Sequence, residues 1–306
     1  MEKDLKSKRI FLLFSTIFLF LSFFISSCAP GNSQGGISGE KIVEDKNHIH
    51  ALAFDLTQPG VMYVATHYYL EKIDLQTGRR EQLGKYGDDY MGFVIAGDGM
   101  FYASGHSPQV ANVGIRKSAD KGKTWETLAY EGYDFHDMTV SSATDIQNVY
   151  AWSTSPKQIF VVSDDEGKSW QEVAQKQEIG TIYVVEADKQ QPETLYAGNL
   201  YGLHVSKDGG STWTQEAALT NIPVIAITDD PVQEGKVTIT TAETILQSTD
   251  DGKTWQEISE GFNQKEEVII FLTTDPTTEK IYGVTKHSKV YVFEEQKWKE
   301  FLLTEK

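Results

Sequence analysis

One eight-residue phrase occurs four times in this 306-residue chain. The segments Ser118 to Trp125, Ser163 to Trp170, Ser206 to Trp213 and Ser248 to Trp255 all read S-x-D-x-G-x-[ST]-W. The fixed positions are Ser118, Asp120, Gly122 and Trp125, then Ser163, Asp165, Gly167 and Trp170. They return as Ser206, Asp208, Gly210 and Trp213, and as Ser248, Asp250, Gly252 and Trp255. The four tryptophans fall 45, 43 and 42 residues apart. A fixed period in the forties means stacked supersecondary units, each too small to bury its own apolar face.

The phrase has the chemistry of a turn. Its aspartate can accept from backbone N–H groups further along the chain, and its glycine supplies a positive φ. An apolar run precedes each copy, as at 158–162, and a strand-like run led by Trp follows. Each copy is therefore expected at the tip of a hairpin between two outer strands, its Trp buried against a neighbouring unit. The phrase resembles the Asp-box, or BNR repeat, of sialidase-like and sortilin-like β-propellers, a group that includes uncharacterised glycosyl hydrolase-like lipoproteins. In that family the boxes lie away from the active face, so their role here is expected to be structural.

Between the phrases the chain reads as short strands separated by turn signals, four to a unit. Expected innermost strands lie near 48–55, 91–96, 135–141, 181–187, 224–228 and 268–274. The second strands share a tyrosine at one place: Tyr63, Tyr102, Tyr150, Tyr196 and Tyr282. Such a recurrence points to packing between blades. Trp298 follows Trp255 by 43 residues and keeps the period without the Asp phrase. Residues 46–306 thus hold an all-β, six-bladed β-propeller.

The start of the chain reads as an export signal. Lys3, Lys6, Lys8 and Arg9 precede the apolar run Ile10 to Ile25, which is short for a membrane span. Ile25, Ser26, Ser27 and Cys28 resemble a bacterial lipobox, which implies cleavage after residue 27 and lipidation, palmitate included, of Cys28. This is the only cysteine, so no disulfide forms within the chain. Residues 28–45 then form a Gly/Ser-rich stalk, and the protein is expected on the extracytoplasmic face of a bacterial cell membrane, tethered by lipid. Loss of residues 1–27 removes four basic and two acidic residues, taking the net charge from −16 to −18. That excludes nucleic acid as a partner held through bulk charge.

Sialidase is the first activity to test. Sialidases hold the substrate carboxylate with three arginines from separate blades. The propeller has only Arg79, Arg80 and Arg116. The first two are adjacent, and Arg116 lies on an outer strand beside an Asp phrase, on the face opposite the site. The Arg-Ile-Pro signature is also missing, so sialidase activity is not expected. A different glycoside hydrolase would need only two carboxylates. Asp88, Asp89, Asp134, Asp137, Glu186, Glu243 and Glu266 all map to one face.

Six of seven histidines map to that face: His48, His50, His67, His106, His136 and His287. His204 alone falls on an outer strand. His48 and His50, two apart on a strand, are expected to point the same way. Two readings fit them. His48, His50, His67, His106 and His136, with Met91, bind a Zn or Cu ion, or they line a polar channel mouth. The function expected is a surface binding or assembly module, monomeric, with a surface protein or carbohydrate as partner and no certain cofactor. The alternative is the hydrolase with paired carboxylates.

Overall fold

The structure, a computed structural model, describes residues 48–141 and 148–301. The expected signal segment, Cys28 and the stalk lie outside the described residues. Twenty-four strands form six four-stranded antiparallel sheets, each from four consecutive strands. Blade 1 holds β1 (Ile49–Phe54), β2 (Val61–Thr66), β3 (Leu70–Asp74) and β4 (Arg80–Leu83). Blade 2 holds β5 (Asp89–Ile95), β6 (Phe101–His106), β7 (Ile115–Ser118) and β8 (Glu126–Ala129). Blade 3 holds β9 (Asp134–Val140), β10 (Val149–Ser155), β11 (Ile159–Ser163) and β12 (Gln171–Glu172). Blade 4 holds β13 (Val184–Ala187), β14 (Leu195–Asn199), β15 (Gly202–Ser206) and β16 (Thr214–Gln215). Blade 5 holds β17 (Val224–Asp229), β18 (Val237–Thr241), β19 (Ile245–Ser248) and β20 (Gln256–Glu257). Blade 6 holds β21 (Ile269–Thr274), β22 (Ile281–Thr285), β23 (Val290–Glu294) and β24 (Lys297–Phe301).

The first strand of each blade contacts the first strand of the next, and β21 returns to β1, so the ring closes. The protein is a six-bladed β-propeller. Six apolar clusters fill its six seams. Tyr63, Tyr102, Tyr150, Tyr196 and Tyr282 are all buried, each in the cluster shared with the following blade. The four phrase tryptophans and Trp298 pack from the other side, each against the preceding blade. The seam between blades 6 and 1 joins Ile49, Leu52, Phe54, Met62 and Val64 to Tyr282, Val284, Val290 and Val292. The Ile49 amide also donates to Ser288 Oγ at 3.0 Å there.

The four phrases form the same turn between the third and fourth strands of blades 2 to 5. In each, the Ser hydroxyl donates to the Asp carboxylate at 2.7–2.9 Å and accepts the Gly amide at 2.7–2.9 Å. The same carboxylate accepts both the amide and the hydroxyl of the Thr or Ser four residues on. Lys121, Glu166, Gly209 and Asp251 take φ near +60° and are followed by Gly at +83° to +89°, which only glycine adopts without strain. These hydrogen bonds, the hydroxyl of Thr124, Ser169 or Thr254 first, hold Asp120, Asp165 and Asp250 down to about 2. Blade 6 closes the equivalent hairpin with Glu295 and Gln296, both at positive φ.

A second capping device closes the turns after the innermost strands. Asp55, Asp188, Asp230 and Asp275 end the innermost strands, and each accepts backbone N–H groups of the following turn at 2.8–3.0 Å. Pro59, Pro192, Pro231 and Pro276 follow them, which is the signal that marks these turns in the chain.

The inner strands differ from expectation at their starts. β5 begins at Asp89 rather than Met91, and β13 is limited to Val184–Ala187. Five of the six innermost strands also carry a bulge near their first residues. The pairing skips His50 in β1, Met91 in β5, His136 in β9, Ile225 in β17 and Ile270 in β21. One extra residue re-aims its side chain and breaks the strict two-residue alternation. The bulge at His50 interrupts the alternation expected of His48 and His50, and the two rings lie 4.9 Å apart across it.

A histidine cluster at the mouth of the ring

His50, Met91 and His136 occupy equivalent bulge positions in three consecutive blades. His48 leads into β1, and His67 follows β2 directly. The His67 amide donates to the His48 carbonyl at 3.3 Å, which ties the two segments together. The ring centroids of His48 and His50 are 4.9 Å apart, those of His48 and His67 5.1 Å, and those of His50 and His67 4.3 Å. One ring nitrogen from each lies within 4.8 Å of the other two, the one such group of three acidic, thiol or imidazole ligands among the described residues.

Asp89, from blade 2, sits against this trio. Its Oδ2 lies 2.9 Å from His67 Nδ1, and its Oδ1 lies 3.3 Å from His50 Nε2. A carboxylate can only accept, so the first contact places the His67 proton on Nδ1 and leaves Nε2 as its lone-pair nitrogen. The second contact lacks hydrogen-bond geometry: His50 Nε2 and Asp89 Oδ1 are both buried without a hydrogen-bond partner. A buried imidazole nitrogen and a buried carboxylate oxygen left unsatisfied together suit a bound cation. Burial pushes the His50 pKa down, against the opposing pull of Asp89. Burial works the other way on Asp89, but the two imidazoles beside it, His50 and His67, outweigh it and hold the carboxyl well below its usual range. His50 is thus neutral, the state that ligates a metal, and Asp89 is the anion that orients the ligand rings.

His106 and His136 are not part of this grouping. His136 Nε2 contacts Asp134 Oδ2 at 2.6 Å, and His106 Nε2 lies 3.7 Å from the same oxygen. His106 Nδ1 also bonds to the Ala111 carbonyl. These two histidines therefore gather on a second, buried carboxylate in blade 3. Met91 is 5% exposed within β5, two residues beyond Asp89. His287 lies on the same face, exposed, with Nδ1 2.8 Å from Glu267. His204 stands on β15, as expected for the outlier.

The acidic candidates also divide. Asp88 pairs with Arg116 at 3.1 Å, and the guanidinium stacks over Tyr90 and Trp125 with Cζ 4.8 and 5.2 Å from the ring centroids. Arg116 therefore reaches back toward the histidine face, a correction to its expected placement, because its long side chain spans from the third strand to the start of the first. It still meets no second arginine: Arg80 is bound to Glu71. Asp137, on β9, is pushed up to about 8 by burial and by the neighbouring Glu186 of β13, despite an amide bond from Val185. Glu186 itself is held by Lys189 at 2.9 Å and Thr139 at 3.0 Å. Glu243 and Glu266 are exposed or near-exposed loop residues.

No family model matches the chain, and no curated protein matches it. Solved structures do. It is similar to the GH74 enzyme of Niastella koreensis, with 13% identity, a TM-score of 0.55 and coverage of 82% of this chain and 46% of that one. The GH74 xyloglucanase of Xanthomonas campestris gives 16% identity, a TM-score of 0.56 and the same coverages. An ancestral GH74 enzyme gives 14%, 0.58, and 82% and 38%. The chain thus spans less than half the length of these enzymes. A chain of the mitotic checkpoint complex is covered to 85%, at 11% identity and a TM-score of 0.55. At such identities the likeness is one of fold.

Proposed function

We propose that this chain is a lipid-anchored, extracytoplasmic binding propeller of the Asp-box kind, whose ligand is a transition-metal ion at the mouth of the ring. His48, His50 and His67 are the ligands, and Asp89 orients them. The observation that carries this reading is the grouping of three ring nitrogens within 4.8 Å beside a half-buried carboxylate. Three imidazoles leave a tetrahedral ion one open position, and nitrogen donors suit Zn or Cu. His106 and His136 gather on Asp134 instead, and Met91 holds the equivalent bulge in blade 2. In the proposed organisation residues 1–27 are the export signal, Cys28 is lipidated, residues 28–45 form the stalk and residues 46–306 the propeller.

The test is calorimetric titration of the purified, tag-free chain from Lys41 onward with zinc and copper. His50→Ala should weaken binding tenfold or more, on the order of the loss expected when one of three ligands goes, while His204→Ala should leave it unchanged. Affinity should fall as the pH drops through about 6.5. Equal affinity in wild type and the triple variant of His48, His50 and His67 overturns the metal reading. Cys28→Ala should release the protein into the medium, and retention in the membrane overturns the anchor.

A second reading is favoured by Asp137. A carboxyl protonated at neutral pH, beside a second carboxylate, is the pairing a glycoside hydrolase uses as acid and base. Turnover of aryl glycosides that Asp137→Asn abolishes would establish it.

A further inference from the structure

Beside the histidine trio, the same face carries an aromatic surface. The β2–β3 turn is His67, Tyr68 and Tyr69, and the segment leading into β5 brings Tyr86 across it. The rings of Tyr68 and Tyr86 are stacked at 5.6 Å and 15°, those of Tyr69 and Tyr86 at 6.3 Å and 24°. Tyr86 has one face against these rings and is still 58% exposed. The turn beneath is fixed: Thr66 Oγ1 accepts the amides of Tyr68 and Tyr69 and donates to the Tyr69 carbonyl at 2.8–3.2 Å. The Gly87 amide donates to the Tyr68 carbonyl at 2.7 Å and pins the second segment to the first. The aromatic surface runs on into the polar mouth, with the Tyr68 ring 6.2 Å from that of His67.

We infer that Tyr86, backed by Tyr68 and Tyr69, is a stacking subsite for a neutral, β-linked gluco-configured polysaccharide. A rigid, exposed tyrosine face beside hydrogen-bonding groups suits a ligand that is apolar on one side and polar at its edge. A pyranose with equatorial hydroxyls is such a ligand, because its axial C–H bonds form the flat face, and a β linkage, equatorial like the hydroxyls, leaves that face clear where an axial α linkage projects from it. Charge narrows the class further. The chain is strongly acidic, and the arginines nearest this face are committed, Arg116 to Asp88 and Arg80 to Glu71, so an acidic polymer is repelled. A cation gains little, because near-parallel rings build no cage, and Asp88 and Asp89 already face Arg116 and two histidines. This inference does not depend on the metal reading.

The test is affinity electrophoresis of the purified chain in native gels containing barley β-glucan, dextran or polygalacturonate. The β-glucan should retard wild type, and the other two polymers should not. Tyr86→Ala should weaken retardation about five- to tenfold, the scale of one aromatic contact, and Tyr86→Trp should preserve it. Tyr201→Ala removes another exposed tyrosine, on blade 4, and should have no effect. His48→Ala with His50→Ala should abolish metal binding and leave retardation intact, which separates the two sites. Absence of retardation in wild type, equal retardation of Tyr86→Ala, or preference for polygalacturonate each overturns the inference.

Discussion

Replacing Gly210 by alanine isolates the packing at one seam of the ring. Gly210 has φ +89°, and a Cβ there would stand 2.4 Å from Phe160 Cε1 and 2.8 Å from Cδ1. Gly252 holds the same position in the next blade, at φ +83°, and its Cβ would meet nothing closer than Trp255 Cζ2 at 3.4 Å. Gly60, at φ +80°, has nothing within 4 Å. All three substitutions incur the left-handed backbone strain of an L-residue, about 1–2 kcal/mol. Only Gly210→Ala adds a steric overlap. Phe160 is 2% exposed, stacked on Tyr150 at 5.7 Å and 9°, and set against Trp213 at 6.4 Å. It cannot move aside without repacking blades 3 and 4, and overpacking costs about 1–3 kcal/mol. Gly210→Ala should therefore lose about 2–5 kcal/mol, and Gly252→Ala and Gly60→Ala about 1–2 kcal/mol each. In a domain of this size each kcal/mol lowers Tm by about 2–4 °C, so differential scanning calorimetry separates the variants. If Gly210→Ala melts together with Gly252→Ala, the clash at the seam is refuted. If Gly60→Ala melts with wild type, the backbone contribution is refuted.

His50 is neutral in the folded ring because burial lowers its pKa. The unfolded chain takes up that proton first, so stability should fall as pH drops below about 6.5, and His50→Gln should flatten that slope in a series of urea melts. Asp229 shows the opposite case: burial first, and then Asp188, push it up to about 8. Its stability penalty therefore grows as pH rises from the ordinary carboxylate range to about 8, so Asp229→Asn should gain Tm over wild type at pH 8 and match it at pH 4; a constant gap would refute this. Arg116→Met leaves Asp88 without its partner and removes a guanidinium stacked on two rings. The expected loss is about 3 kcal/mol, read by denaturant unfolding, and a neutral result would show that Asp88 turns out to solvent.

The ring was legible where packing repeats, because a repeated seam demands repeated residues. Tyr102, Tyr150 and Tyr196 recur with Trp125, Trp170 and Trp213, and their period alone indicates a propeller of stacked blades. His48, His50 and His67 came from strand phase, since both ends of the β1–β2 hairpin's open side must reach one face. The bulges at His50, Met91 and His136 were not legible, because a one-residue slip in pairing leaves no mark in a linear pattern. Asp89 looked like one acid among seven. Its distinction is its position beside two imidazoles of another blade, a distance that spacing along the chain does not encode. Arg116 stands on the outer strand that its place before the Asp phrase implies, but a strand position fixes Cα, whereas a long side chain delivers its charge elsewhere.

Each blade is made of four consecutive strands, and the seam between blades 6 and 1 is closed by side chains and the Ile49–Ser288 bond, with no strand borrowed across it among the described residues. The point at which the chain is cut is therefore arbitrary with respect to the ring. A circular permutant that opens between β8 and β9, with Phe301 joined to His48 through a Gly/Ser bridge, keeps every sheet whole. A loop between blades other than the Tyr86 segment serves likewise as a point of insertion for a cargo domain. A propeller that shares a strand across its closing seam lacks this freedom, since the same cut would divide a sheet.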